Sequence, residues 1–355
     1  MASSLVFDTS SKSEWQQVLP ATTSVFGSYE YARIVEAQTG YKASLFVWTA
    51  EDMEIAYPFF LRPIHSLPFA TSIPGAVWDT LTPEYTGPIL TKGIPQDHDR
   101  YQLAFSTFCH QQGIVAEFAH LHPWRSEQGC LDMKDVSEDR AIVYVDLTVP
   151  SDLLWQDHFT YGCRTKIRRS QNAQVHVFAA TSVDHVAEFH RIYTNTMLRN
   201  QAQAKYLFPL GYFEAIFRQM PDHACFMMAE YQGKLIAGNL YLHDATDVYG
   251  YLGGTDMDFK HVGPSNAVVY RAILWAQDMG KKRLILGGGY QPNDGVFQFK
   301  ANFSPLRASF RVYRKTHSPN LYSHLCSAWS RYYNAELPQN AYFPAYRMLP
   351  EAVAQ

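Results

Sequence analysis

The order of its apolar segments constrains this chain more than any single motif, because a similar succession of strands and helices is written along it twice. In the first half a helical pattern near 28–38 (SYEYARIVEAQ) precedes two apolar runs, 42–49 (KASLFVWT) and 54–62 (EIAYPFFLR). The short acidic turn between those runs predicts a hairpin. A Pro/Gly/Thr-rich loop, 78–90, leads to a helix near 97–111 that stops at Gly113, then to strands at 113–121 and 141–149. The second half offers helices at 184–200 and 209–219, strands at 224–231 and 235–243 around the turn QGK, a strand at 247–255, a helix over 265–279 and a strand at 282–288. This repetition predicts a mixed α/β (α+β) fold of two tandem domains, 1–150 and 151–315, with 150–170 as connector. The last segment, 316–355, holds a helix near 321–336 and an aromatic-proline stretch, and it is expected to dock on the body, since burying its rings offsets the entropy of ordering them.

The totals exclude several function classes. With 30 Lys+Arg against 33 Asp+Glu in 355 residues the net charge is −3, so wholesale electrostatic binding of nucleic acid is not expected and any RNA contact must be local. The five cysteines are scattered, with neither CxxC nor Cys/His ligand spacing, which predicts no disulfide framework and no structural metal. His120 and His122 lack a third ligand at sensible spacing. The N-terminus lacks a basic region followed by an apolar one, and no apolar run is long enough to span a bilayer, so a cytoplasmic protein without a membrane span is expected. GxxxxGK[ST], GxGxxG after a strand, HExxH and GxSxG are all missing, which disfavours nucleotide hydrolysis, NAD chemistry, zincin proteolysis and serine hydrolysis.

What remains is a strand, a loop and a helix. Within 251–280 a strand carrying two glycines runs into a loop, and Ser265 is expected to cap the helix that follows. The amides of that helix start would hold a phosphate or carboxylate, or else the segment is an ordinary capped helix. Downstream, GGGYQPNDGVFQFKANFSP (287–305) sets one lysine among aromatic residues. Read as a strand beginning near Phe297, it sends Phe297, Phe299 and Ala301 to one face and Gln298 and Lys300 to the other.

The K-x-x-G-x-S loop (Lys260, Gly263, Ser265), its helix and the strand ending in a glycine cluster resemble a degenerate acyl-donor loop of the GNAT acyltransferases, whose usual pattern is [QR]-x-x-G-x-[GA]. More specifically, RTKIRRSQNAQV (164–175), FHRIYTNTMLRN (189–200), YLFPLGYFEAI (206–216), KLIAGNLYL (234–242), LGGGYQ (286–291) and FQFKANFSP (297–305) resemble, in that order, the Fem family of FemABX-type peptidyltransferases and its acetyltransferase-like relatives. The first half matches weakly, through SVFGSYEYARIVEAQTG and WDTLTPEYTGPI.

The resemblance implies two tandem GNAT-like domains, each a mixed, mostly antiparallel sheet flanked by helices, that form an amide from an activated acyl group. The co-substrate would be an aminoacyl-tRNA or an acyl-CoA, with no permanently bound cofactor and no metal. The acceptor would be an amine of a small molecule or cell-envelope precursor. By resemblance Lys300, with Phe299, stabilises the oxyanion of the tetrahedral intermediate or pairs with a nucleotide phosphate. Lys260, Gly263, Ser265 and Asn266 would be donor-side, and Asp79, Tyr85 and Arg199 acceptor-side. Tyr290 is a candidate proton donor and Asp294 a candidate for orienting or deprotonating the attacking ammonium, although PNDG is also plain turn chemistry. His261 is a possible loop base, and Asp79 could equally cap a turn, Tyr85 pack as a loop ring, and Arg199 end a helix. The run Arg164, Lys166, Arg168 and Arg169 would meet a polyanion or lie on a solvated helix face.

Overall fold

The computed structural model describes residues 2–20, 23–71, 73–75, 77–94, 98–125, 130–291, 293–338 and 342–349. In chain order the elements are β1 (Ser3–Phe7), α1 (Lys12–Val18), α2 (Tyr29–Thr39), β2 (Lys42–Ala50), β3 (Met53–Pro63), β4 (Trp78–Leu81), β5 (Ile89–Lys92), α3 (His98–Gln112), β6 (Ile114–Leu121) and β7 (Val136–Asp146). A one-turn α4 (Ser151–Leu153) runs through a π-helical turn to α5 (Tyr161–Asn172). Then follow β8 (His176–Ala179), α6 (Val183–Arg199), α7 (Leu210–Gln219), β9 (Ala224–Tyr231), β10 (Lys234–His243), β11 (Asp247–Thr255), α8 (Pro264–Asp278), β12 (Arg283–Gly287), α9 (Gly295–Ala301), β13 (Arg307–Thr316) and α10 (Pro319–Tyr333). Strand, two helices, three strands, helix, strand is thus spelled once by β1 to β6, with β5 inserted, and again by β8 to β12.

The chain folds into two compact units, Met1–Asp139 with Phe310–Gln355, and Arg140–Ser309. The expected borders at 150 and 315 therefore differ from those observed, because the chain passes from one unit to the other inside β7 and returns inside β13. The segment 150–170 is no connector; it builds α4 and α5 within the second unit.

In unit 1 the strands follow the order β1-β2-β3-β4-β6-β13, antiparallel except for β4 beside β6, with β5 also on β3. The predicted hairpin is present, Lys42–Ala50 pairing along Met53–Leu61. Ser28 caps α2 by accepting from the Tyr31 amide, and Gly40 ends it in the left-handed region. One face of the hairpin packs Phe46, Trp48, Tyr57 and Phe59 against Tyr101 and Phe105 of α3. The C-terminal segment belongs here as well, with Leu325, Trp329, Tyr346 and Met348 sharing a core with Ile64 and Val115.

In unit 2 the order is β7-β12-β11-β10-β9-β8, antiparallel except for β11 beside β12. Its core gathers β7, β9 and β10 around the buried face of α8 (Val268, Val269, Ala272, Ile273, Ala276) and includes Phe297 and Phe303. Burying side chains of that size stabilises by roughly 1.5–3 kcal/mol each. Among the described residues no helix is long and apolar enough to cross a membrane.

Candidate active site

The parallel pair in unit 2 is short. β11 and β12 are in register from Asp247–Arg283 to Tyr249–Ile285, and Arg283 grips Asp247 at that end through two bonds, Nε to Oδ1 at 2.7 Å and Nη2 to Oδ2 at 3.1 Å. Residues 250–255 of β11 continue along β10 alone. A register shift at Leu240/Tyr241 leaves Tyr251 as the extra residue of β11, with its hydroxyl 2.9 Å from that of Tyr212. Helix α6 crosses this stretch so closely that a Cβ on Gly254 would lie 2.8 Å from the Ile192 carbonyl oxygen, which explains a glycine in the strand.

Thr255, where β11 ends, gathers three elements. Its amide donates to Thr196 Oγ1 at 3.0 Å, its carbonyl accepts from Arg199 Nη1 at 3.3 Å, and its hydroxyl lies 2.7 Å from Ser265 Oγ. Ser265 therefore does not cap α8 as expected. The N-cap is Gly263, at φ +72°, with Pro264 behind it and no side-chain capping bond. The α8 amides thus begin with their partial positive charge unopposed by a capping side chain, an arrangement suited to a phosphate or carboxylate oxygen. Asn266 is buried and turns its amide to Cys163 Sγ at 3.7 Å. Lys260 and His261 are exposed, and the His261 ring Nδ1 sits 3.1 Å from the Asp258 carbonyl.

Helix α5 holds this loop and resolves the basic run. Arg164 Nη1 donates to the carbonyls of Trp155, Gln156 and Phe159, Arg168 stacks over Trp155 at 5.3 Å, and Arg169 reaches the His261 carbonyl at 3.4 Å. A Cβ on Gly263 would lie 2.7 Å from the Lys166 carbonyl oxygen, so the loop rests directly on α5. At its other end α5 starts at Thr160, whose amide and hydroxyl bond Asn302, the C-cap of α9, at 2.9 and 2.8 Å. One helix thereby ties the turn at Lys260–Gly263 to the segment that carries Lys300.

That segment is a helix and not the strand its alternation predicts. Asp294 is the reason: it caps α9 by accepting from the Phe297 amide at 2.8 Å, and its other oxygen accepts from the amides of Tyr290 (2.7 Å) and Gln291 (3.0 Å). Burial pulls its pKa up, but these backbone bonds outweigh it and hold the carboxyl below the usual range. With both oxygens engaged by backbone amides, Asp294 serves as the cap of α9. Tyr290 stands at the surface, 66% exposed, and Phe299 packs edge-on to Phe303.

Lys300 sits in the last turn of α9, half-buried, and its Nζ donates to the Gly288 carbonyl at 2.6 Å. Burial pushes its pKa down to about 8, Asp294 opposing and Arg140 adding to the fall. The sequence reading missed Arg140, Thr160 and Thr255, which carry no motif.

Asp79 and Tyr85 belong to unit 1, where the structure places both in packed surroundings. Asp79 is fully buried, taking Arg62 Nε on Oδ1 at 2.6 Å and Arg347 Nε with the Tyr346 hydroxyl on Oδ2, at 2.6 and 3.1 Å. Tyr85, at φ +51°, sets its ring edge-on to Phe310 and His122.

Among the described residues no group of His, Cys, Asp and Glu could hold a metal ion. Burial pushes the thiols of Cys163, Cys225 and Cys326 up to about 11, 12 and 11, so at neutral pH they are not thiolate nucleophiles.

Residues 158–301 match the family profile described as an acetyltransferase (GNAT) domain. The second unit has a GNAT fold. Over the longer chain, the crystal structure of FemX is similar at 11% identity, with a TM-score of 0.67, covering 91% of this chain and 99% of that one. A conserved protein of unknown function from Bacteroides thetaiotaomicron VPI-5482 is similar at 10% identity and TM-score 0.60, covering 89% of this chain and 100% of that one. A tandem GNAT protein from the clavulanic acid biosynthesis pathway is similar at 8% identity and TM-score 0.51, covering 90% and 99%. No curated protein sequence matches the chain significantly. These likenesses are of fold, and they agree with the expected pair of GNAT-like units, each with a mixed sheet and flanking helices. After the strand that leaves the parallel pair, Lys260 lies in the 3-10 turn Met257–Val262, Gly263 is the N-cap of α8 and Ser265 stands in the first turn of that helix.

Proposed function

We propose that the chain catalyses amide-forming acyl transfer. The nitrogen of an amine acceptor adds to the carbonyl carbon of an activated acyl group, and the carbon–oxygen or carbon–sulfur bond to the carrier breaks. The nitrogen loses one proton and the leaving hydroxyl or thiol gains one. The observation that carries this reading is Lys300, a half-buried ammonium at a glycine-rich turn of a GNAT-fold unit, bonded to a backbone carbonyl and to no carboxylate. A cation pre-placed where an oxyanion develops lowers the barrier by about 3–4 kcal/mol. With the described thiols kept protonated, direct attack of the amine is favoured over a cysteine-bound intermediate.

The proposed donor is an aminoacyl-tRNA and the proposed acceptor an amine of a cell-envelope precursor or small metabolite. The departure of Lys260-x-x-Gly263-x-Ser265 from the acyl-CoA pattern and the Phe299-Lys300 segment support that donor. A second reading, transfer from acyl-CoA, draws on the uncapped start of α8, which suits a pyrophosphate. Transfer of a radiolabelled amino acid from charged tRNA to an amine, abolished by RNase, is the expected result. Transfer that survives RNase and requires a CoA thioester would replace the first donor with the second. Binding of amines without turnover of either donor would make the chain a GNAT-fold binding module instead.

A further inference from the structure

Two cationic side chains meet at Gly288. Its carbonyl accepts Lys300 Nζ at 2.6 Å, while a Cβ built on it would lie 3.1 Å from Arg140 Cδ and 3.0 Å from the Ala141 carbonyl oxygen of β7. The aliphatic stem of Arg140 is therefore laid across the very residue to which Lys300 is bonded, closely enough that a side chain there would crowd it. A guanidinium keeps its charge at every accessible pH, whereas an ammonium gives up its proton when desolvated beside another cation. The other charged and titratable groups around Lys300 have separate engagements. Asp294 is held by backbone amides at the start of α9, Arg307 stacks over Phe297 at 5.2 Å and bonds the Ser304 and Leu306 carbonyls at 2.8 Å, and Tyr290 is exposed.

We propose that Arg140 is a positioning residue for Lys300: held across Gly288, its fixed charge adds to burial in loosening the hold of the Lys300 amine on its proton. Burial and Arg140 act on that amine in the same direction and Asp294 acts against them, which places its titration at about 8. Removing the charge of the exposed Arg140 therefore moves the titration upward, by an amount that solvent screening keeps small. The consequence for turnover rests on the acyl-transfer reading above; the electrostatic pairing does not.

Trace labelling of the folded protein with acetic anhydride across pH 6–11, with the Lys300 peptide quantified by mass spectrometry, reads the titration without any turnover. Arg140→Gln should raise the Lys300 labelling midpoint and shift the alkaline limb of kcat the same way by a similar amount, with KM for the acceptor unchanged. Arg140→Lys should bring both back toward the native values. A labelling midpoint in Arg140→Gln equal to the native one overturns the proposal, whatever the effect on rate. A midpoint that moves in a protein that transfers from no donor upholds the pairing and removes the acyl-transfer reading instead.

Discussion

The two units run through the same succession of elements to a parallel pair of strands and then treat the end of that pair in opposite ways. In unit 1 the pairing of β4 with β6 goes on past the last strand residue: the Thr82 amide donates to the Phe118 carbonyl at 3.0 Å, Thr82 Oγ1 accepts from the His120 amide at 2.7 Å, and the Thr86 amide donates to the His120 carbonyl at 2.7 Å. Tyr85 packs its ring beside the stitched seam, against Phe310. In unit 2 the register between β11 and β12 ends at Tyr249–Ile285, and the residues beyond it turn to other partners. Both units bury a carboxylate on arginine, Asp79 between Arg62 and Arg347 in unit 1 and Asp247 on Arg283 in unit 2, but in unit 2 Lys300, Arg199 and Arg169 each bond a backbone carbonyl. A side chain paired with its opposite is electrically finished; a cation on a lone carbonyl retains charge for a ligand. The contrast teaches that a duplicated frame can keep its succession of elements in both copies while the end of the parallel pair is sealed in one and left apart in the other.

The largest expected effect tests the closed side. Asp79→Ala strips the shared partner from two buried guanidiniums and should cost about 3–5 kcal/mol in denaturant unfolding. Lys300→Met, measured beside it, should cost little, since it removes a desolvated charge that has no carboxylate partner; equal losses would erase the contrast. On the open side, Lys300→Ala should lower kcat about 10²–10³-fold with KM little changed, the pattern of an interaction made in the transition state. A matching weakening of ligand affinity would point to a binding role.

The proton on Lys300 gives a pH signature. The protonated amine is the form that steadies an oxyanion, so kcat should stay level below about pH 8 and fall as pH rises through it. From pH 7 to pH 9 the loss is about tenfold. A rate that climbs through the same range would make Lys300 the proton acceptor. Gly263→Ala forces a side chain into the left-handed region against the Lys166 carbonyl, about 1–2 kcal/mol of strain, and should raise KM for the donor more than it lowers kcat. Smallest of all, Thr82→Val unstitches one bond of the unit 1 seam, at about 1 kcal/mol of stability and with turnover unchanged.

Hydrophobic periodicity made most of the frame legible: β9 and β11 match their sequence patterns residue for residue, and α2, α6, α7 and α8 fall within one residue of theirs. Short strands such as β4, β5 and β8 gave no signal, since four residues do not establish a period. The Lys300 segment misled because FQFKANF alternates like a strand, while its conformation is decided by Asp294, whose capping carboxylate starts a helix regardless of the pattern downstream. Between β11 and α8 the K-x-x-G-x-S spacing could be read, but the bonds of Ser265 and of Arg199 to Thr255 join positions 10 and 56 apart, and no local pattern encodes them. Arg140 was invisible for the same reason: its importance comes from lying over a glycine nearly 150 residues away in sequence.

The two crossings inside β7 and β13 reverse the usual order in which a chain can be enclosed as it is made. Unit 2 is one continuous stretch, 140–309, and has all its strands once that stretch has left the ribosome. The residues synthesised first must wait, since β6 lacks its β13 neighbour, and Ile64 and Val115 lack Trp329, until the C-terminal segment arrives. A ribosome that has extruded the chain only as far as residue 309 would therefore hold a complete unit 2 and an unclosed unit 1, and splitting the gene at its midpoint would yield pieces that each miss a strand.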